Sequence, residues 1–335
     1  MLRALELAEL GWGRVQPNPL VGAVVVDASG QIVGEGHHQE YGGPHAEVLA
    51  LRAAGASARA STLYVTLEPC AHHGQTPPCT EAILQAGIAR VVYGARDPNP
   101  RAAGGASVLR AAGVTVSGPS AEALVQQQNR VFFHACQHAR PFVTLKLAVS
   151  LDGRVATSRA ERTPITGMEA QAEVHRQRAG HDAIMVGSGT ALTDDPLLTV
   201  RGAITPRRPP LRIILDSQLR LPLTSQLVRT VPEAPLLVCC GTGAEPDRWR
   251  ALENAGAEVT RVPEAGAGLD LNWVLSLLWE RGIRSVYCEG GPRLAGALAR
   301  AGRLDRFQIF IAPLLLGADA VNAFDALPSP DRLPL

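Results

Sequence analysis

Gly43-Pro44-His45-Ala46-Glu47, Leu67-Glu68-Pro69-Cys70 and Thr76-Pro77-Pro78-Cys79 are the three stretches on which the reading of this 335-residue chain turns. His45, Cys70 and Cys79 offer one imidazole and two thiols, a soft donor set suited to zinc, and leave a fourth tetrahedral position open for water as catalytic zinc sites do. Glu47, two residues past the histidine, can handle a proton without binding the metal. A closed structural site with His72 or His73 as fourth ligand is the alternative, and it leaves Glu47 without a task.

Working outward, Pro44 suits the first turn of a helix over 44–54, which puts His45 and Glu47 near its positive end. Residues 62–67 read as a buried strand running into Glu68-Pro69-Cys70, and Pro77-Pro78-Cys79 opens the next helix, to residue 86. Before them come a helix over 2–12, the helix-free turn Pro17-Asn18-Pro19 and two strands, 20–26 and 31–36, around a hairpin loop. After them follow a strand over 90–95, the turn Asp97-Pro98-Asn99-Pro100, a helix over 107–112, a strand over 114–117 and a long helix over 121–139. This alternation is that of a three-layer α/β domain. If the two helix starts face one another at strand ends, the three ligands converge, with both cysteines held as thiolates by helix N-termini.

The length calls for two domains, and Arg140-Pro141 divides them into 1–140 and 141–335. Hydrophobic content of 46% with 19% charged residues is that of an ordinary globular protein. A formal net charge of +1 gives no general pull toward nucleic acid. The first ten residues carry Arg3, Glu6 and Glu9, unlike a secretory leader, and no apolar run is long enough to span a bilayer. Cytoplasmic placement with reduced cysteines is therefore expected.

The second half begins with a strand over 142–149 and a polar turn, Ser150-Leu151-Asp152-Gly153-Arg154. A helix over 168–179 precedes a strand over 182–186, the loop Gly187-Ser188-Gly189-Thr190, and Asp194-Asp195-Pro196 leading to a short apolar stretch, 197–201. Strands over 211–215, 235–240 and 258–262, a helix over 271–281, a strand over 284–289 and a helix over 292–300 complete the pattern. Gly290-Gly291 between the last two is a geometry that brings a helix N-terminus to an anion, or simply a tight turn; no Gly-x-Gly-x-x-Gly follows a strand. Lys146 is the only lysine among 32 lysines and arginines. Chance retention at a solvated strand end and a required amine both account for it.

His-x-Glu with a later Pro-Cys and a second cysteine is the general signature of zinc nucleobase deaminases. Combined with Pro17-Asn18-Pro19-Leu20-Val21-Gly22, Gly36-His37-His38, the filled spacer from Cys70 to Cys79 and Asp97-Pro98-Asn99-Pro100, it resembles the bifunctional riboflavin-biosynthesis deaminase/reductase family. The spacer separates it from cytidine and tRNA-adenosine deaminases, whose cysteines lie two residues apart. In the second half Leu145-Lys146-Leu147, Asp194-Asp195-Pro196, Asp216-Ser217 and Glu289-Gly290-Gly291-Pro292 resemble that family's reductase half.

The resemblance implies a cytidine-deaminase-like α/β/α domain followed by a dihydrofolate-reductase-like α/β domain, one zinc ion and NADPH. It implies deamination of 2,5-diamino-6-(5-phosphoribosylamino)pyrimidin-4(3H)-one with Glu47 as general acid/base, then reduction of the ribosyl group to ribityl. Asn18, His38, His72, Asp97 and Asn99 would hold the pyrimidine ribotide. Lys146, Asp194 and Glu289 would line the reacting end of the reductase, with Arg178 and Arg201 on the substrate phosphate. Ala148, Thr190, Asp194, Ser217, Gly290 and Gly291 would hold the cofactor.

The chain departs from the family in places. Gln75 stands where a basic residue is common, the Gly104-Gly105 loop is shorter, and Arg162-Thr163-Pro164 replaces a stretch that often has a serine and a tryptophan. The chain stops at Leu335, where relatives continue through another strand, so an oligomer pairing reductase domains would cover the sheet edge. Two other readings are a nucleoside deaminase with an attached nucleotide-binding domain, which cytidine turnover would reveal, and a non-catalytic zinc- and nucleotide-binding protein, which would have no use for Glu47 and Lys146.

Overall fold

Alternate residues of the first sheet feed two different cores, and that alternation makes the first unit three layers deep. The computed structural model describes residues 1–325 except Gln75, Ala160, Arg162 and Ala267, and the chain divides into Met1–His138 and Ala139–Leu335. In the first unit, α1 (Leu2–Glu9) precedes β1 (Gly22–Val26), β2 (Ile32–His37), α2 (Ala46–Ala54) and β3 (Thr62–Leu67). Next come α3 (Cys79–Gln85), β4 (Arg90–Ala95), α4 (Gly105–Ala111), β5 (Thr115–Ser117), α5 (Glu122–Gln128) and α6 (Arg130–Gln137). The sheet order is β2-β1-β3-β4-β5. β1 is antiparallel to β2 and β3, and β3, β4 and β5 run parallel.

Ala23, Val25, Leu63, Val65 and Val91 pack against Ala50 and Leu51 of α2, Ile83 of α3 and Leu109 of α4. Val24 turns the other way, onto Ala4 and Leu7 of α1, and Leu67 and Ala95 meet Val125 of α5 with Phe132 and Phe133 of α6. Period two along strands thus becomes helices on both faces.

The single helix expected over 121–139 is two. Asn129 lies between α5 and α6 with φ −106° and ψ 25°; its buried amide accepts from Leu20 N at 2.7 Å and donates to Leu20 O at 3.0 Å. Satisfying that strand-entry peptide outweighs helix continuity, since unpaired buried peptide groups are costly.

The second unit contains β6 (Phe142–Ser150), β7 (Arg154–Ala156), α7 (Met168–Ala179), β8 (Ala183–Gly187), α8 (Ser188–Asp194), β9 (Leu211–Leu215), α9 (Gln226–Arg229) and β10 (Leu236–Cys240). There follow α10 (Pro246–Asn254), β11 (Glu258–Arg261), β12 (Glu264–Ala265), β13 (Gly268–Leu269), α11 (Leu271–Glu280), β14 (Ser285–Cys288), α12 (Pro292–Arg300), β15 (Arg306–Ala312) and β16 (Val321–Asn322). The main sheet runs β11-β10-β9-β8-β14-β6-β15, every neighbouring pair parallel. Parallel strands covered on both faces read as continuous apolar runs, as Ala183-Ile184-Met185-Val186 does. One core joins Leu145, Leu147, Met185 and Val286 to α11 and α12; the other joins Ile184, Val186, Ile214 and Val238 to Ala191 of α8 and Leu252 of α10.

Three expectations are corrected here. The Gly187–Thr190 loop is the start of α8, residues 197–201 form no strand, and β15, beyond the last assigned helix, is a full member of the sheet. Residues 197–201 are held by side chains instead: the buried Arg212 donates to Leu197 O at 3.1 Å and Arg178 to Thr199 O at 2.9 Å. Among the described residues β15 has a neighbour on one side only; the tail, 326–335, lies outside them.

Candidate metal centre and reductase cleft

His45 is the N-cap of α2 with extended φ −72° and ψ 159°, so its ring leaves the helix toward the end of β3. Cys70 follows that strand in the Glu68-Pro69-Cys70 turn. Cys79 is the first residue of α3, and its N–H donates to Cys70 Sγ at 3.3 Å, while Thr80 N donates to Cys70 O at 3.3 Å. One helix start therefore serves both cysteines; Cys70 has no helix of its own, contrary to the sequence expectation.

His45 Nδ1 lies 3.2 Å from Cys79 Sγ and 3.6 Å from Cys70 Sγ. Bonds of about 2.0 Å to nitrogen and 2.3 Å to sulfur at a tetrahedral angle put those atoms about 3.5 Å apart, so this donor set fits one zinc ion. His45, Cys70 and Cys79 are the only such cluster among the described residues, with ligand atoms within 4.8 Å of one another. His73 instead sits at the surface 3.5 Å from Glu81, and His72 is outside the cluster, which leaves the fourth position open. On the far side of the ring, His45 Nε2 lies 3.4 Å from Thr76 Oγ1, a hydroxyl able to accept its proton when Nδ1 faces a metal.

Without the metal the two thiols share one proton, where two thiolates were expected: the Cys70 thiol is pulled down to about 4, first by its hydrogen bond with Cys79 and also by His45, against the opposing effect of burial, while that same hydrogen bond and then burial push the Cys79 thiol up. Glu47, in the first turn of α2, is buried, and burial pushes its carboxyl above the ordinary value.

Around this centre, His38 Nδ1 donates to Pro44 O at 3.1 Å, because a carbonyl can only accept. Its Nε2 must then accept from Asn18 Nδ2 at 3.1 Å. Both His38 nitrogens are used within the protein, and its ring meets that of His45 edge-on at 5.6 Å. Asp97 Oδ1 accepts from Asn99 N at 2.8 Å, and Asn99 Oδ1 from Arg101 N at 3.1 Å, which ties Asn99 into the turn. Burial raises the Asp97 carboxyl to about 6. His72 Nδ1 is buried without a hydrogen-bond partner, a polar atom that a bound ring could satisfy. Gln75 lies outside the described residues.

Two positioning residues escaped the sequence reading. Glu68 Oε1 accepts from Ala106 N at 3.0 Å, pinning α4 to the turn that carries Cys70. Asn129 fixes Leu20 and hence the Pro17-Asn18-Pro19 loop. A hint of the latter existed, since asparagine is a poor interior helix residue.

In the second unit the carboxyl ends of β9, β8, β14 and β6 form one edge. Lys146 of β6 stands opposite Gln308 in register with its ammonium 6.0 Å from the Phe310 ring centre. Glu289, just past β14, receives Arg178 Nε at 2.6 Å and Nη2 at 3.0 Å. Burial opposes ionisation of Glu289, but Arg178 and then Lys146 outweigh it and hold the carboxyl below its ordinary value. The Arg178 fork expected on the substrate phosphate is thus committed to Glu289 and Thr199 O.

Arg201 remains exposed, its N–H on His175 Nδ1 at 3.1 Å. Asp194 ends α8, and Asp195 Oδ1 accepts from Gln226 N, the first residue of α9, at 2.8 Å. Ala148 lies two residues beyond Lys146 on the same face of β6. Gly291 is the N-cap of α12, and a Cβ there would find only Thr190 Oγ1, at 3.5 Å. That open cradle at a strand-to-helix turn suits a phosphate such as a dinucleotide carries. Ser217 follows β9, its carbonyl accepting from Gly241 N at 2.9 Å. Arg162 lies outside the described residues.

Known proteins place these two sites together. Residues 1–95 match the cytidine and deoxycytidylate deaminase zinc-binding region, and residues 141–334 match the RibD C-terminal domain. The chain is 42% identical to the riboflavin biosynthesis protein RibD of Escherichia coli (strain K12), over 99% of this chain and 92% of that one. It is 43% identical to the protein of that name from Aquifex aeolicus (strain VF5), over 95% and 87%. Acinetobacter baumannii RibD superposes with a TM-score of 0.83 at 38% identity, covering 97% of this chain and 89% of that one. A Thermotoga maritima structure described as a diaminohydroxyphosphoribosylaminopyrimidine deaminase/5-amino-6-(5-phosphoribosylamino)uracil reductase gives 0.83 at 36%, over 99% and 91%. With zinc-dependent deamination in one unit and NADPH-dependent reduction in the other, the chain belongs to the RibD family of bifunctional riboflavin-biosynthesis enzymes.

Proposed function

We propose that the first unit hydrolyses the 2-amino group of 2,5-diamino-6-(5-phosphoribosylamino)pyrimidin-4(3H)-one, and that the second reduces the ribosyl group of the resulting uracil to ribityl. One water enters and one ammonia leaves in the first step, so a proton must travel from the water to the departing nitrogen. His45, Cys70 and Cys79 would hold a zinc ion, which when bound would make a water acidic enough to ionise near neutrality. Glu47 carries the proton: its raised carboxyl holds one better than an exposed glutamate would, and it stands in the same helix turn as His45. Asp97 and His72 face the ring, with Asn99 shaping the Asp97 turn. His38 orients Asn18 through their mutual hydrogen bond.

In the second unit NADPH, when bound, would supply the hydride for reduction of the sugar. Glu289, kept ionised by Arg178, has acceptor oxygens and no proton to give, so the proton for the opening sugar falls to Lys146. Arg201 is left to meet the substrate phosphate, while Arg178 positions Glu289. Asp194, Thr190, Ser217, Ala148 and the Gly290-Gly291 turn line the cofactor's path along the strand ends.

The observation that carries this reading is the convergence of one imidazole and two thiols beside a buried glutamate. The test is incubation of the purified chain with the diaminopyrimidinone ribotide, with and without NADPH, following ammonia release and NADPH absorbance. Ammonia release without NADPH, and NADPH loss only after it, are expected. Ammonia with no NADPH loss would remove the reductase assignment. Glu47→Gln should cut ammonia release by roughly 10²–10⁴-fold while zinc stays bound; loss of the zinc would make Glu47 structural.

The finer assignments of place and assembly rest on other features. All six cysteines are free, which supports a reducing cytoplasm. No helix among the described residues is long and apolar enough to cross a membrane. A second copy covering β15 is supported by its exposed Ile309 and Ile311, and sedimentation of the full chain tests it.

A further inference from the structure

The far end of the reductase cleft holds a cation that the reading above leaves without a task. Ligands of open parallel sheets lie outside the carboxyl ends of the strands, and here β9 delivers Asp216, Ser217 and Arg220 to that edge beside Ser188, the first residue of α8. In dinucleotide sites a carboxylate near this end hydrogen-bonds an unmodified ribose 2′-hydroxyl, whereas an arginine accommodates a 2′-phosphate.

Both residue types are present, and the structure orders them. The Asp216 side chain is 1% exposed. One of its oxygens accepts from Leu221 N at 2.9 Å and the other from Arg220 Nε at 3.3 Å, and with the group buried behind Arg220 neither oxygen faces a ribose. Arg220 stands in front of it with 50% of its side chain exposed, and its Nη2 donates to Ser188 Oγ at 2.6 Å. The carboxylate is spent holding the guanidinium, and the guanidinium faces outward between two serine-bearing strand ends.

We infer that Arg220, seated on Asp216 and Ser188, is the residue that makes the second unit select a 2′-phosphorylated dinucleotide over its unphosphorylated counterpart. The inference rests on the reading of that unit as an NADPH reductase. From β6 with Lys146 to β9 with Arg220 there are three strand spacings, about 14 Å at about 4.8 Å each. Arg220 therefore acts on binding and leaves the reacting end untouched.

The test is binding of NADPH and NADH to the zinc-loaded full chain by titration calorimetry, for the parent, Arg220→Leu and Arg220→Lys. Arg220→Leu should weaken NADPH about ten- to a hundredfold, the range for a charged hydrogen bond to phosphate, and leave NADH within about twofold. Arg220→Lys should keep part of the preference and lose it in high salt, because a lysine lacks the fork. If Arg220→Leu fails to fold, the Lys variant still decides: its NADPH-to-NADH affinity ratio must fall. Equal weakening of both cofactors, or unchanged NADPH binding, would overturn the inference. A parent chain that binds neither cofactor would sink the reductase reading itself, and this inference with it.

Discussion

Asp97 holds its proton to about pH 6 where an ordinary aspartate lets go near 3.8, so its ionised form costs the native state on the order of 2–3 kcal/mol at about 1.4 kcal/mol per tenfold. The folded value is the raised one. The native state is therefore favoured below about pH 4, and that advantage is lost as pH rises through 6. Asp97→Asn should raise the unfolding midpoint at pH 7.5 by several degrees and leave it unchanged at pH 3.8; an equal gain at both would put the cost elsewhere. The candidate metal ligands His45, Cys70 and Cys79, with Glu47 beside them, were readable because metal chemistry fixes such types and spacing. Arg178 was legible as important but not in its partner: a bidentate contact across 111 residues leaves no local trace. Arg212 left none at all, since its worth lies in carbonyls at Leu197, Thr230 and Ala234 that any sequence could supply.

The start of α4 meets the metal turn closely enough to make one glycine decisive. A Cβ on Gly105 would lie 1.8 Å from Pro69 O, so Gly105→Ala must push α4 or the Pro69-Cys70 turn aside. A cost of about 1–3 kcal/mol is expected from such overpacking, together with faster zinc loss to a chelator. Gly104→Ala is the comparison: its φ is +98° but the space around it is open. That change should lower stability by about 1 kcal/mol and leave zinc retention alone. Parallel loss of zinc in both variants would mean that backbone strain, and not the approach to Pro69, governs the turn. At this scale the sequence is most informative where the apolar pattern is strong: β3, β4, β9 and α12 sit where the pattern puts them. It fails where tertiary contacts decide, as at the α5/α6 break. The strand β15 carries an alternating signal in Phe307, Ile309 and Ile311 and is bounded by Gly302 and Pro313, so it was legible in the sequence.

At the scale of the molecule, β15 has, among the described residues, an edge without a neighbouring strand. Ile309 and Ile311 are 49% and 64% exposed on β15, and unpaired strand edges invite pairing. Sedimentation of the full chain is expected to show a dimer or larger assembly, and Ile309→Lys with Ile311→Lys should return it to the monomer. A parent chain that is monomeric at every concentration, with its reductase intact, would dispose of the assembly. Two-part organisation was legible because each half carries its own alternation of strands and helices. The lone lysine, finally, gives this protein an unusual handle. Apart from the chain's own amino terminus, Lys146 bears its only primary amine, and that amine sits beside Glu289 and Phe310 rather than on open surface. An acylating or reductive-alkylating reagent therefore has a single internal target, so the protection of that one mass shift by added ligand would count occupied reductase clefts directly, molecule by molecule.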